Sequence, residues 1–350
     1  MPEVDLQEAQ VRLPELIDEA ARGEDVIITR EDGATFSLTQ IVQAQPPPQA
    51  EQDWSKFIDI IAKHVKEQKC ILFLGAGVHY EPPADSGYVY PKERRPLLGG
   101  ELVKELVKHC SYREVYPHDQ TPDLQRVALY FEKEMGRDQL VNRIRAAVDT
   151  DGVSDKEPSS ALKALARLPF PLVITTNYDH LFENSLRAPG IDKRPNVSVY
   201  NKDAFAVTKD YEHSIQRPFV YKIHGDIEEE NSIVITDEDY IHFILRMSSK
   251  DPFNPIPDTF RFFFKKWSTL FIGYSLLDYN LRLLFKTLRW GVDQNALTFP
   301  TTYSVDPYPD HLIWTVWENE QHYVKFIRQG VWEFVPELYK RVTGDDMRNL

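Results

Sequence analysis

The sequence predicts a doubly wound α/β domain, its parallel sheet covered by helices on both faces, preceded by a small α+β module. Two observations carry this reading. Short apolar runs bounded by Gly, Asn or Pro recur at Cys70–Leu74, Leu172–Thr175, Phe219–Lys222, Ser232–Ile235, Thr269–Ile272 and Thr301–Val305, the pattern of strands buried on both faces. Helical patterns alternate with them near 54–67, 100–110, 122–148, 159–167, 179–187, 238–247, 256–266, 278–289 and 318–328, as crossover connections require.

The elements follow in chain order. Leu6, Ala9, Leu13, Leu16, Ile17 and Ala20 recur at helical spacing, and Gly23 supplies a stop. Asp25 to Arg30 and Ala34 to Leu38 read as two short strands joined by the Glu31-Asp-Gly33 turn. One helix and one hairpin bury too little to fold alone, so this module, residues 1–44, is expected to associate with a second copy. Three consecutive prolines in QPPPQAEQ exclude helix and sheet interiors, and residues 45–53 are read as a spacer. The main domain is placed at 54–345. Within it the stretch 81–98, with Pro82, Pro83, Pro91 and Pro96, reads as a long irregular loop, the length typical of lids and binding loops.

Composition narrows the function classes. Lys plus Arg number 41 against 54 Asp plus Glu, a formal charge of −13, so long-range attraction to nucleic-acid backbones is disfavoured. Cys70 and Cys110 stand far apart with no CxxC pair, as reduced thiols in a cytosolic protein do. No run of about 18 apolar residues offers a membrane span, and the acidic N-terminus is unlike a signal peptide. A cytoplasmic chain is expected.

Four strand ends carry polar or side-chain-free residues. Cys70–Leu74 runs into Gly75-Ala76-Gly77, a turn without bulk that admits a pyrophosphate against backbone N–H groups; Tyr80 stands where GxGxxG has its third glycine. Leu172–Thr175 delivers Thr176, Asn177 and Asp179; Asp179 suits a helix cap, while Asn177 cannot titrate and suits orienting a ribose hydroxyl or a water. Phe219–Lys222 leads to His224-Gly225-Asp226, a candidate base. Thr269–Ile272 leads to Gly273, Ser275 and Asp278, a turn that can meet a phosphate or ribose oxygen and then a helix cap. Open α/β sheets bind ligands at such ends.

In order and spacing, GAG at 75–77, TTNYD at 175–179, HGD at 224–226 and GYS at 273–275 resemble the sirtuin motifs. The resemblance covers about 54–345 and implies a Rossmann-like sheet. It also implies a GAG turn holding the NAD+ diphosphate, Asn177 and Asp179 facing the nicotinamide ribose, His224 as base, and Ser275 on the adenosine half. Gly75, Ala76, Gly77, Thr176, Asp179, Gly273, Ser275 and Asp278 are thus the expected NAD+ contacts, with Asn177 and His224 catalytic. Thr176 replaces the glutamine of the sirtuin motif. The thiolates of the sirtuin zinc module are missing, so no metal is expected.

What stands in the zinc module's place, with GYSLLDYNLR at 273–282, looks like the sirtuin-like NAD+ hydrolases of bacterial antiphage defence. That implies NAD+ consumption by an oligomer acting with a sensor or ATPase-type partner protein. The loop 78–98 is expected to fold over the nicotinamide side, with Arg94 and Arg95 either meeting phosphate or standing as solvated surface charge. The N-terminal module resembles the start of prevent-host-death-type antitoxins. Its three Arg and no Lys against ten acids, net −7, point to dimerisation or docking and away from DNA. A protein deacylase, an ADP-ribosyltransferase and a non-catalytic NAD+ or ADP-ribose sensor stay open as alternatives.

Overall fold

A computed structural model of the chain describes residues 54–148, 156–202, 214–247, 254–275, 282–283, 285, 300–320 and 324–350; in the N-terminal segment it describes 3–5, 8–9, 12, 15–16, 20, 26–30 and 34–38. Two compact units result, Met1–Gln52 and Asp53–Leu350.

In the first unit β2 (Val26–Thr29) and β3 (Thr35–Leu38) pair antiparallel with Val26 opposite Leu38, the expected hairpin. A strand not foreseen, β1 (Glu3–Asp5), adds parallel to β2. At three residues it is too short for alternation to be read. Val4, Ala9, Leu16, Ala20 and Val26 make a small core, and Phe36 stays exposed. The Glu31–Gly33 turn and the spacer 45–53 lie outside the described residues.

The second unit is a seven-stranded parallel sheet in the order β10-β9-β8-β4-β5-β7-β6, with β4 Cys70–Leu74, β5 Leu172–Thr175, β6 Asn196–Val199, β7 Phe219–Lys222, β8 Ser268–Ile272, β9 Thr302–Val305 and β10 Val324–Ile327. The helices that position the site are α1 (Ser55–Lys66), α2 (Gly99–Lys108), α3 (Tyr112–Val115), α4 (Leu124–Met135), α5 (Arg137–Val148), α6 (Ser160–Arg167), α7 (Leu181–Arg187), α8 (Asp237–Met247), α9 (Asp258–Phe264), α10 (His311–Trp314) and α11 (Val331–Thr343). Strand residues alternate between two cores. Leu72, Leu74, Val173, Val220 and Leu270 pack under α1, α6, α7 and α11, while Ile71, Phe73, Ile174, Tyr221 and Phe271 pack under α8 and α9. A third core joins α2, α4 and α5 to Ile227, Ile233 and Ile235.

Four sequence expectations are corrected. The single helix over 122–148 is two, α4 and α5, because Gly136 takes φ +91° and ends the first. Ser232–Ile235 is no sheet strand: Val234 N–H donates to the His224 carbonyl (2.9 Å), and the carbonyls of Ile233 and Val234 accept from Arg137 (2.6 Å) and the Tyr178 hydroxyl (2.8 Å). Those backbone groups hold a loop against the site and leave nothing for a ladder. In the stretch 318–328 helical backbone ends at Glu320, and Val324–Ile327 pairs with β9, where burying Val324, Phe326 and Ile327 outweighs helical spacing. Edge strand β6 was missed because Asn196 and Ser198 dilute its apolar run. Much of the helix expected at 278–289 lies outside the described residues.

Register places the chemistry. Leu74 pairs with both Thr175 and Ile272, and Thr175 with Lys222, so four strands end in one row. Asn177 and His224 each lie two residues past that row; Gly75 and Gly273 each lie one past it. The chain runs outward from β4 through β5 and then returns to β8 on β4's other side, so the β4/β8 junction is the switch point where such sheets open a crevice.

A buried ammonium locks two of these ends. Lys222, with no exposed surface, donates from Nζ to the carbonyls of Tyr178 (3.0 Å) and Asp179 (2.6 Å) and pairs with Asp226 (2.8 Å) and Glu183 (3.4 Å). Burial works against its charge, but Glu183, Asp226 and Asp179 outweigh it and raise Lys222 above the ordinary lysine value. Burial likewise opposes ionisation of Asp226, yet His180, at 2.8 Å, and Lys222 hold its carboxyl down at about 2.

Lys222→Met is expected to cost about 3–5 kcal/mol of unfolding free energy, because it strands Asp226 and Glu183 as buried carboxylates; equilibrium denaturation measures it, and a loss under about 1 kcal/mol contradicts the lock. Gly273 takes φ +78°, and a Cβ there would run into Val78 N and the Gly75 carbonyl. Gly273→Ala is therefore expected to destabilise by more than about 1 kcal/mol, read in the same experiment.

Candidate active site

The ends of β4, β5, β7 and β8 surround a cavity of about 400 Å³, lined among others by Ala76, His79, Asn177, Asp179, His224 and Ser275. A second cleft of about 660 Å³ shares Ala76, Gly273, Tyr274 and Ser275 with it and continues past the end of β9 to the start of α11. The two form one elongated depression with a glycine wall at its middle.

That wall is backbone against backbone. Gly75 N–H donates to the Ile272 carbonyl and Gly77 N–H to the Gly273 carbonyl, both at 2.9 Å. Ideal Cβ atoms on Gly75 and Gly77 would stand 2.5 and 2.8 Å from the Gly273 oxygen. The glycines are thus needed for strand-end packing, and their own N–H groups are not offered to a diphosphate as the sequence suggested. Among the described residues no hydrogen-bond partner is found for Ala76 N–H, which leaves it the donor of the turn.

Asn177 sits on the β5 end, 8% exposed, its backbone N–H donating to Thr175 Oγ1 (3.0 Å). Its side-chain Oδ1 is buried without a hydrogen-bond partner among the described residues. A buried acceptor left open on a cavity wall is costly unless a ligand or water completes it. His224 faces the same cavity, 6% exposed, seated edge-on against Tyr240 (centroids 5.2 Å apart) and Phe243 (5.7 Å). Nδ1 is turned to the Tyr240 hydroxyl at 3.4 Å, and for Nε2 no partner is found among the described residues. Burial drives the imidazole down to about 3. His224 is neutral near pH 7, a ring that can accept one proton.

The neighbours are polar and tightly held. Asp179 Oδ1 caps α7 through Leu181 N–H (2.9 Å), as its sequence position suggests, while Oδ2 lies 3.5 Å from His79 Nε2. Burial opposes its charge, but His79 and Lys222 keep it below the ordinary aspartate value. Thr176 lines the cavity with its hydroxyl engaged by Tyr274 (3.0 Å), whose own O–H reaches the Leu74 carbonyl (2.9 Å). Ser275 stands where the two clefts meet. Asp278 lies outside the described residues. Arg94 is the exposed surface charge that the sequence allows, paired with Glu157 (2.8 Å), whereas Arg95 is buried and pairs with Glu81 (3.0 Å). The loop they belong to is pinned, with Tyr90 O–H donating to the Glu157 carbonyl (2.9 Å) and Trp332 Nε1 to the Tyr80 carbonyl (2.9 Å).

Sequence reading missed His79, Tyr240, Lys222 and Asp306. His79 has a visible signal, two residues past Gly77. Lys222 also has one, the lone charge closing an apolar strand with Asp226 four residues on. Asp306 has one too, an acid directly after the strand read at Thr301–Val305, whereas Tyr240 gives none, since only the tertiary fold brings it to the cleft. As for metals, His180, Asp226 and Glu228 are the group of ligand type found among the described residues. Asp226 is already bonded to His180 and Lys222, which makes the group an internal ion-pair network.

Residues 171–325 match the family described as the SIR2-like domain. Proteins named NAD(+) hydrolase ThsA are similar over 49–70% of this chain. That of Acinetobacter baumannii is 30% identical over 248 residues, 70% of this chain and 44% of its own length. That of Enterococcus faecium is 33% identical over 174 residues, 49% and 33%, and that of Cytobacillus dafuensis 30% over 239, 67% and 41%. The matched stretch spans less than half the length of each relative. The parallel sheet, the glycine wall and the Asn177–His224 cavity at its carboxyl edge accord with the SIR2-like domain that residues 171–325 match.

Proposed function

We propose that the second unit hydrolyses NAD+ to nicotinamide and ADP-ribose. One observation carries the reading: an uncharged imidazole and an unsatisfied buried amide oxygen face a single cavity that opens onto a glycine-walled cleft. The names of the similar proteins support the same activity.

The chemistry needs little. The C–N bond to the pyridinium breaks with its electron pair leaving on nicotinamide, and the ribose carbon becomes oxocarbenium-like. A water oxygen then bonds to that carbon and loses one proton. Asn177 orients the ribose or the water through Oδ1, and once that water oxygen bonds to the oxocarbenium-like carbon its proton becomes strongly acidic, so that even a weakly basic His224 can take it on Nε2 and pass it to solvent. The nearby Asp179 carboxylate favours the positive charge that passes from pyridinium to ribose. Ala76 N–H and Ser275 would hold the diphosphate; with Gly75, Gly77, Thr176 and Gly273 shaping the wall, they are the proposed NAD+ contacts. None of these steps uses a metal.

In the cell, the reading is of an NAD+-depleting effector of bacterial antiphage defence, acting in the cytoplasm as an oligomer with a sensor or ATPase-type partner. The N-terminal unit, whose sequence resembles antitoxin dimerisation modules, is the proposed site of association. Among the described residues no helix is long and apolar enough to cross a membrane.

Incubation with NAD+, alone and with candidate partners, tests the reading. Asn177→Ala and His224→Ala are each expected to lower nicotinamide release by about 100-fold or more in variants that thermal unfolding shows still fold cooperatively; full activity in both refutes it. The pH profile is a separate check. Because His224 is held near 3 in the free protein, kcat/KM, which reports free-enzyme ionisations, is expected to show no histidine inflection at 6.5 and to fall only in far more acidic solution. Stability carries the matching sign: the unfolded ring binds a proton that the folded ring refuses, so the His224 contribution is lost as pH falls from 6.5 toward 3.

A further inference from the structure

The far end of the cleft, away from Asn177 and His224, is lined by Asp306, Glu333 and Glu81, and among the described residues no Lys or Arg lines it. Asp306 follows β9 directly. Its backbone N–H donates to the Ile327 carbonyl (3.1 Å), and its Oδ1 accepts from Tyr308 N–H (2.9 Å); no partner for Oδ2 is found among the described residues. Glu333 lies in the first turn of α11, a 13-residue helix whose start lines the cleft. A free helix start attracts phosphate. Here Glu333 folds its carboxylate back over Gly330, where a side chain at Gly330 would collide with it, so that start already carries its own anion. Glu81 adds a third carboxylate, paired with Arg95 and largely exposed.

We propose that Asp306 and Glu333 restrict this cleft to dinucleotides with an unphosphorylated adenosine ribose, so that NAD+ is taken and NADP+ is refused. The inference rests on the dinucleotide reading of the cleft. An Asp at a strand end accepts hydrogen bonds from a ribose diol, whereas recognition of a 2′-phosphate calls for an Arg or Lys. A 2′-phosphate brought against two carboxylates in a partly desolvated cleft meets like-charge repulsion, and among the described lining residues there is no Lys or Arg to relieve it.

The experiment measures binding of ADP-ribose and of 2′-phospho-ADP-ribose by calorimetry, and turnover of NAD+ and NADP+, for the full chain and for Glu333→Gln, Asp306→Asn and the double variant. Glu→Gln and Asp→Asn keep shape and remove charge, and thermal unfolding checks that each variant folds. Wild type is expected to bind ADP-ribose at least about tenfold more tightly than its phosphorylated form, and the double variant to narrow that ratio by strengthening the phosphorylated ligand. Equal binding of both ligands by wild type, or a ratio unmoved in a folded double variant, overturns the inference. ADP-ribose binding without nicotinamide release removes the hydrolase reading and leaves this inference standing; no binding of either ligand removes both.

Discussion

The second unit depends on one buried ammonium. Lys222 closes β7 at the height where Thr175 closes β5, and from there it reaches the carbonyls of Tyr178 and Asp179 and the carboxylates of Asp226 and Glu183. The loop that follows Asn177 and the loop that follows His224 are thereby tied to one point. A charge network buried this deeply gains little net stability over one in which all its partners are replaced together by apolar groups. What it supplies is position, since two loops that share a cation cannot drift apart without exposing its counter-charges. His224 is neutral because it is buried, and the nearby acids Asp179, Glu183 and Asp226 are engaged by Lys222, His79 and His180.

Much of the architecture was legible because the physics is local. Apolar runs such as Cys70–Leu74 and Leu172–Thr175 have to be buried on both faces, and all but one of the six strands read from composition pair in the sheet. Failures occurred where local pattern and tertiary burial disagree. Val324–Ile327 carries helical spacing and lies in a strand; Ser232–Ile235 looks like a strand, but its backbone is engaged by Arg137, Tyr178 and the His224 carbonyl.

The site was legible to a different depth. Motif positions marked the four strand ends, and the register then brought Gly75, Asn177, His224 and Gly273 to one edge. What sequence did not convey is which backbone groups are engaged. Gly75 and Gly77 looked like phosphate donors, yet their N–H groups bind the β8 backbone, and Ala76 between them stays open. Pairings across long separations, such as His224 with Tyr240 or Arg95 with Glu81, have no local signal at all.

The glycine wall has an implication for how such a protein diversifies. It is made of main chain and divides the depression into an end built from β5 and β7 and an end built from β9 and α11, which share few side chains. Substitutions at one end need not propagate across a partition whose closest contacts are main chain, with Tyr274 as the side chain that braces it. Selection can therefore retune which nucleotide is admitted while the bond-breaking apparatus stays constant, and lineages of this architecture can part in diet before they part in chemistry.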